Sequence, residues 1–357
     1  MPHPIRPELR EVDPITMRRR AMIASLLGIT TTAALPGWAE AAARTPDVDH
    51  TTTRGSWAKD FTAASWELDS LGARYVTHEG ALDRHTIMET GLWLAAQLAV
   101  LAERAPANHR SEANRAAAEA CAFAAGCYID FGNNKAATDL YDKGYRLASD
   151  HPDLRAFIFS QWNWVPMYRG EWHKVARRSD TAIGLAETSG GFALLMGYAH
   201  RAKAHAVFGN TAQAVSCLDD MEKNLARVPG ASGPHSALRY SASKAWFSAS
   251  TVYAELGDTQ RQEDAQYRAL EDPTLGWIDR SLMKLGQCSL DPDPELAAHR
   301  IRFHVLSLPR DSFNHCVKAE ADRLLNKISA RRGAGREVAA AKHYLTTVVV
   351  DPATAAA

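Results

Sequence analysis

Cysteine is scarce in this chain, and what little there is does not pair. Five residues, Cys121, Cys127, Cys217, Cys288 and Cys316, are spread over 357 positions. The number is odd, the spacing wide and no Cys-x-x-Cys occurs, which excludes a disulfide framework and a paired thiol site for zinc or redox work. Four of them sit in apolar, helix-patterned stretches and read as small core residues. Net charge is also missing: 41 basic residues balance 41 acidic ones. The long-range field that sequence-independent binding to nucleic acid or acidic membrane requires is therefore absent. Long apolar runs are lacking too. The longest candidate, Ala21 to Leu35, has about 15 residues where a membrane-spanning helix needs about 20. β-strand signal is confined to Leu345 to Val350, since alternating β-branched runs occur nowhere else after Ser56. Helices must form the fold.

Catalytic constellations are equally sparse. There is no Gly-x-Ser-x-Gly elbow, no Gly-x-Gly-x-x-Gly and no Gly-x-x-x-x-Gly-Lys loop, so hydrolase, dinucleotide and nucleotide chemistry have no motif to rest on. His200 with His205, and His299 with His304, are five apart and point to different helix faces, whereas a helical metal site uses spacings of three or four. Those histidines are expected on the surface or between helices. The reading is of a protein that is not an enzyme, with no cofactor and no metal.

What the sequence does have is punctuation. Phe131-Gly132-Asn133, Arg169-Gly170-Glu171, Phe208-Gly209-Asn210 and Leu256-Gly257-Asp258 each follow one apolar-periodic segment and precede another. Glycine reaches the left-handed conformation that ends a helix, and a following Asn or Asp can cap the next one. Each mark reads as the turn of a helical hairpin. The glycines lie 38, 39 and 48 residues apart, close to a repeat of about 34 with short insertions. In the first clear unit Tyr128 precedes the turn, Ala137, Tyr141 and Gly144 share a face after it, and Pro152 closes it. Trp246, Tyr253, Ala269 and Pro273 do the same around Gly257. The second and third units depart, with Pro166 and Val175 in one and His205 in the other. Pro166 lacks an amide donor and should kink or shorten its helix. A fifth unit spans Thr274 to Leu308 with Asp291-Pro292-Asp293-Pro294 as its turn, a closing helix follows from Ser312 to Ile328, and Trp57 to Tyr75 with Thr86 to Glu103 forms a pair at the other end. The predicted fold is all-α, a right-handed α-solenoid of tetratricopeptide-like helical hairpins. Its divisions are an N-terminal segment 1–55, a repeat array 56–330 and a C-terminal tail 331–357.

Residues 56 to 344 resemble the tetratricopeptide-repeat sensory half of actinobacterial helix-turn-helix transcriptional regulators. The resemblance rests on Gly80 to Pro106, Gly126 to Ala148, Asp258 to Pro273, and the closing order Asp293-Pro294-Glu295, Leu308-Pro309, Gly335-Arg336-Glu337-Val338. It implies a cytoplasmic regulatory or adaptor protein that binds a partner protein, a peptide or a small ligand. Some 50 residues precede the array, too few for the five-helix DNA-binding domain of that family, so direct DNA binding is not expected. Arg19-Arg20-Ala21-Met22-Ile23 with Ala39-Glu40-Ala41 matches the layout of a twin-arginine export signal, which leaves an exported binding protein as an alternative. An accessory or enzyme of a biosynthetic pathway built on a helical scaffold is a third.

A tetratricopeptide superhelix turns the first helix of each hairpin toward its concave side. Counting helical faces back from each glycine selects a groove: Asp130 from the first hairpin, Phe157, Ser160, Trp164, Met167 and Tyr168 from the second, Met196 and Lys203 from the third, and Lys244, Phe247, Thr251 and Glu255 from the fourth. Rigid aromatics beside two lysines suit an extended peptide or a carboxylate-bearing ligand. The same aromatics, with Trp162 and Trp172, could instead serve packing between repeats.

Overall fold

The computed structural model describes residues 54–77, 84–187, 191–225, 242–271, 275–308, 314–332 and 335–347. The twin-arginine-like stretch Arg19-Arg20-Ala21-Met22-Ile23 and the Ala39-Glu40-Ala41 site lie outside them. The described residues form helices and no strand: α1 (Arg54–Thr77), α2 (Arg84–Glu103), α3 (Arg110–Asp130), α4 (Asn134–Leu147), α5 (Pro152–Gln161), α6 (Trp164–Tyr168), α7 (Trp172–Ala186), α8 (Phe192–Val207), α9 (Thr211–Leu225), α10 (Ala242–Leu256), α11 (Thr259–Leu270), α12 (Trp277–Cys288), α13 (Pro294–Ser307), α14 (His315–Arg332) and α15 (Arg336–Thr347). Consecutive helices pack as pairs, most extensively α2 with α3, α3 with α4, α8 with α9 and α10 with α11.

Four of the turns share one hydrogen-bond pattern. Gly132, Gly170, Gly209 and Gly257 all have φ between 70° and 78°, a region that costs a residue with a Cβ about 1 kcal/mol or more. In each, the amide after the glycine donates back to a carbonyl five residues earlier: Asn133 to Tyr128, Glu171 to Pro166, Asn210 to His205 and Asp258 to Tyr253. This is the Schellman closure that satisfies the last carbonyls of a helix. The Asn133 and Asp258 side chains then accept from the amides of Ala136 and Arg261, each at 3.1 Å, capping α4 and α11.

Pro166 acts as its chemistry requires. Without an amide it cannot bond the Trp162 carbonyl, and the helix divides there into α5 and α6, across Trp162 and Asn163. Asn163 fills the break, donating to Val175 O at 3.2 Å and to Ser179 Oγ at 2.9 Å.

The two helices of a pair differ in burial. On α9 the buried residues are Ala214, Cys217, Leu218 and Met221, a single stripe at spacings of three and four. On α8 they run nearly all round, from Ala193 to Ala206. A helix buried on every side needs partners beyond its hairpin mate. For α8 that cover comes chiefly from α7, α10 and α5, while α14 packs on α3, α6, α12 and α13 and meets α8 and α10 through Glu320 and Arg323. The groove expected from helical counting is not open, because the chain's own α14 lies against it.

The C-terminal end also differs from the expectation. Residues 336–347, read as tail, form α15, which packs against α13 through buried Val338, Ala341 and Leu345. Glu337 accepts from Arg302 Nη2 at 2.8 Å, and its amide donates to Glu295 Oε2 at 2.9 Å. Leu345, Thr346 and Thr347 are helical, because a short β-branched run takes the structure that buries its apolar member.

Candidate functional site

The side of the wall that faces α14 is built from the C-terminal turns of α3, α6, α8 and α10. At one end Asp130, 7% exposed, accepts from the Tyr75 hydroxyl, from Asn314 Nδ2 at 3.2 Å and from Cys316 Sγ at 3.3 Å. Asn314 in turn caps α14, its Oδ1 accepting from Val317 N at 2.9 Å. His315 lies beside Gly132 and edge-on to Tyr168, with ring centroids 6.4 Å apart.

At the other end is a charge cluster. Glu255, next to last in α10, meets Arg323 Nη1 at 2.6 Å and Lys327 Nζ at 2.7 Å. Lys327 also donates to the Glu255 carbonyl at 2.7 Å. Arg323 forks onto Glu320, both contacts at 2.8 Å. Lys203 of α8 stands between the two acids, 3.9 Å from Glu255 and 3.8 Å from Glu320, and donates to Thr251 O at 3.0 Å. Burial works against every charge here, raising the carboxyls and lowering the lysine. At Glu255 the cations Lys203, Arg323 and Lys327 prevail over burial and hold the carboxyl down at about 2. Glu320 is held low in the same way by Arg323 and Lys203. Lys203 ends below its ordinary value because burial outweighs its two acids.

Between these two anchors α14 does not fill the space. A cavity of about 410 Å³ remains, walled by Trp164, Met167, Tyr168 and Trp172 on one side, His200, Lys203, Phe247, Ser248 and Thr251 on another, Leu282 of α12, and His315, Lys318, Glu320 and Arg323 of α14. A second space of about 170 Å³ lies beyond Trp164, Tyr168 and Phe247, toward Asp130, Lys244 and Asp279. Trp164 stacks on Tyr168 with centroids 5.7 Å apart and meets His200 edge-on at 4.8 Å.

Of the residues picked out by helical counting, Trp164, Met167, Tyr168, Lys203, Phe247 and Thr251 line the larger cavity, and Asp130 and Lys244 the smaller. Glu255 lies behind, in the charge cluster. Lys244 pairs with Asp279 at 3.5 Å. Phe157, Ser160 and Met196 are placed elsewhere and are corrected to core residues. Phe157 and Met196 share a core cluster with Ile183 and Leu195, and Ser160 Oγ donates to Ala193 O at 3.2 Å. The break before Pro166 explains two of the three, since a register counted back from Gly170 does not carry into α5. Met196 lies where α5 covers α8.

Sequence reasoning passed over His200 and every contribution from α14. His200 carried a usable signal: it lies one helical turn before Lys203, as Phe247 does before Thr251. Glu320, Arg323 and Lys327 carried none, because the residues of α8 and α10 that they meet lie more than 60 positions away.

Among the described residues no group of three or more His, Cys, Asp or Glu side chains is placed to hold a metal ion, and no helix is long and apolar enough to cross a membrane. No family model matches the chain, and neither a curated protein nor a solved structure is similar to it.

Proposed function

We propose that this chain is a tetratricopeptide-like α-solenoid that works as a ligand-responsive regulatory or adaptor module, taking a small molecule between its concave wall and α14. The observation that carries this reading is the 410 Å³ cavity in which Trp164, Met167, Tyr168 and Phe247 surround a few convergent polar groups. Small-molecule sites are concave, mostly apolar spaces of about 300–1,000 Å³ with a small number of placed polar side chains. The reading favours binding over catalysis because Lys203, Glu255, Glu320 and Arg323 neutralise one another. α14 gives such a ligand something to act on, since a molecule wedged beneath it bears on both anchors. A peptide partner on the same wall would have to displace α14.

The test is native mass spectrometry of the full chain after exposure to the small-molecule fraction of a cell extract, beside the Trp164→Ala/Phe247→Ala double variant. A species retained by the parent and lost by the folded variant supports the reading. Equal retention by both removes it.

A further inference from the structure

His200 is 3% exposed and lines the cavity, yet neither Nδ1 nor Nε2 has a hydrogen-bond partner. A buried imidazole with both nitrogens unmatched loses the full desolvation free energy of two polar atoms and recovers none of it. Its ring is held by the edge-on contact with Trp164 at 4.8 Å and 78°. That contact gives neither nitrogen a partner; both lie covered in the cavity wall, so a ligand group reaches them only as a neighbouring side chain gives way. Burial drives the ring to its neutral form, its pKa falling to about 3. A neutral imidazole offers one N–H donor and one bare acceptor.

The nearby cation is not available in the same way. Lys203 already meets Glu255, Glu320 and the Thr251 carbonyl. A carboxylate ligand would have to break into that cluster, whereas an uncharged polar group needs only His200. The lining beside His200 includes the aromatic side chains Trp164, Tyr168 and Phe247, against which a ring packs.

We propose that the cavity binds a flat aromatic molecule carrying an uncharged hydroxyl or carbonyl group, with that group hydrogen-bonded to His200 and the ring among Trp164, Tyr168 and Phe247. The inference rests on the cavity reading above and adds the chemical class of its ligand. Discrimination comes from His200. A molecule without the polar group leaves the imidazole unmatched, and a site built to hydrogen-bond a hydroxyl rejects the analogue lacking it.

The probes are 2-naphthol and naphthalene, titrated into the full chain and its His200→Phe and His200→Gln variants and followed by tryptophan fluorescence. Expected is binding of 2-naphthol to the parent, weakened about tenfold in His200→Phe, the order of one lost hydrogen bond. His200→Gln, which keeps a donor and an acceptor, recovers most of the loss, and naphthalene binds the parent and His200→Phe alike. An unchanged affinity for 2-naphthol in His200→Phe overturns the role of His200 and leaves the cavity reading standing. Absence of binding by both probes to the parent counts against the cavity reading, and the inference goes with it. Should His200→Phe fail to fold, the imidazole nitrogens of the ¹⁵N-histidine-labelled parent decide: the His200 resonances shift with 2-naphthol and not with naphthalene, and resonances unmoved by 2-naphthol overturn the proposal.

Discussion

Arg323 on α14 and Glu255 on α10 meet at 2.6 Å, 68 positions apart in the chain and both largely buried. Three cations, Lys203, Arg323 and Lys327, converge on the Glu255 side chain. Removing one partner from a buried ionic cluster costs more than the cluster contributes, because it leaves charge unmatched in a low dielectric. Glu255→Gln is therefore expected to destabilise the fold by about 3 kcal/mol, read as a lower urea midpoint with little change in slope. A change under about 0.5 kcal/mol, the range of an ordinary surface substitution, would show that the cluster is solvated and α14 is held by other means.

Acid should act on the same contacts with a definite sign. The Glu255 carboxyl is held at about 2 in the fold, against 4.5 for an unperturbed group. Its contribution is complete above pH 4.5 and is lost as pH falls toward 2. His200 adds a slope at higher pH. Kept neutral down to about pH 3 against an ordinary 6.5, it leaves the unfolded chain binding the extra proton between those values, so stability falls as pH drops from 6.5. The difference in unfolding free energy between the parent and His200→Phe should thus vary with pH between 6.5 and 4, the variant losing less on acidification. Parallel curves would show that His200 is not buried neutral.

The glycines separate backbone strain from crowding. Gly132 and Gly257 have nearly equal φ, 78° and 77°, but a Cβ at Gly132 would lie 2.9 Å from His315 Nδ1, whereas none of the surrounding atoms comes within 4 Å at Gly257. Gly257→Ala should cost about 1 kcal/mol from the left-handed conformation alone. Gly132→Ala should cost more, and the excess should appear as faster amide exchange in the first turn of α14. Equal costs would mean that His315 moves aside freely.

Cys316 provides a clock for α14. All five cysteines are buried and none forms a disulfide, and burial pushes the Cys121 thiol up to about 11, so a thiol reagent should find the native chain slow to react. Undocking of α14 exposes Cys316 while Cys217, in the core between α8 and α9, stays covered. In Glu255→Gln, modification of Cys316 is expected to quicken relative to Cys217, measured by mass spectrometry of the modified peptides. Uniform acceleration of both would indicate global unfolding instead.

Apart from α15, the chain by itself determined the helices and the turns between them, because those depend on neighbours a few residues away. A left-handed glycine, an Asn or Asp cap, a proline without a donor and an apolar stripe at helical spacing act locally, and each acted where the sequence placed it. The cavity-facing positions Trp164, Tyr168, Lys203 and Phe247 were legible for the same reason, as a count of turns back from a glycine. Only the tertiary structure decided what lies over them. Whether α14 trails away or folds back depends on Asn314 finding Asp130 and on Lys327 finding Glu255, pairings across 184 and 72 positions. No periodicity encodes these, since solvated lysines and arginines on an exposed helix have the same sequence as buried ones that have found their acids.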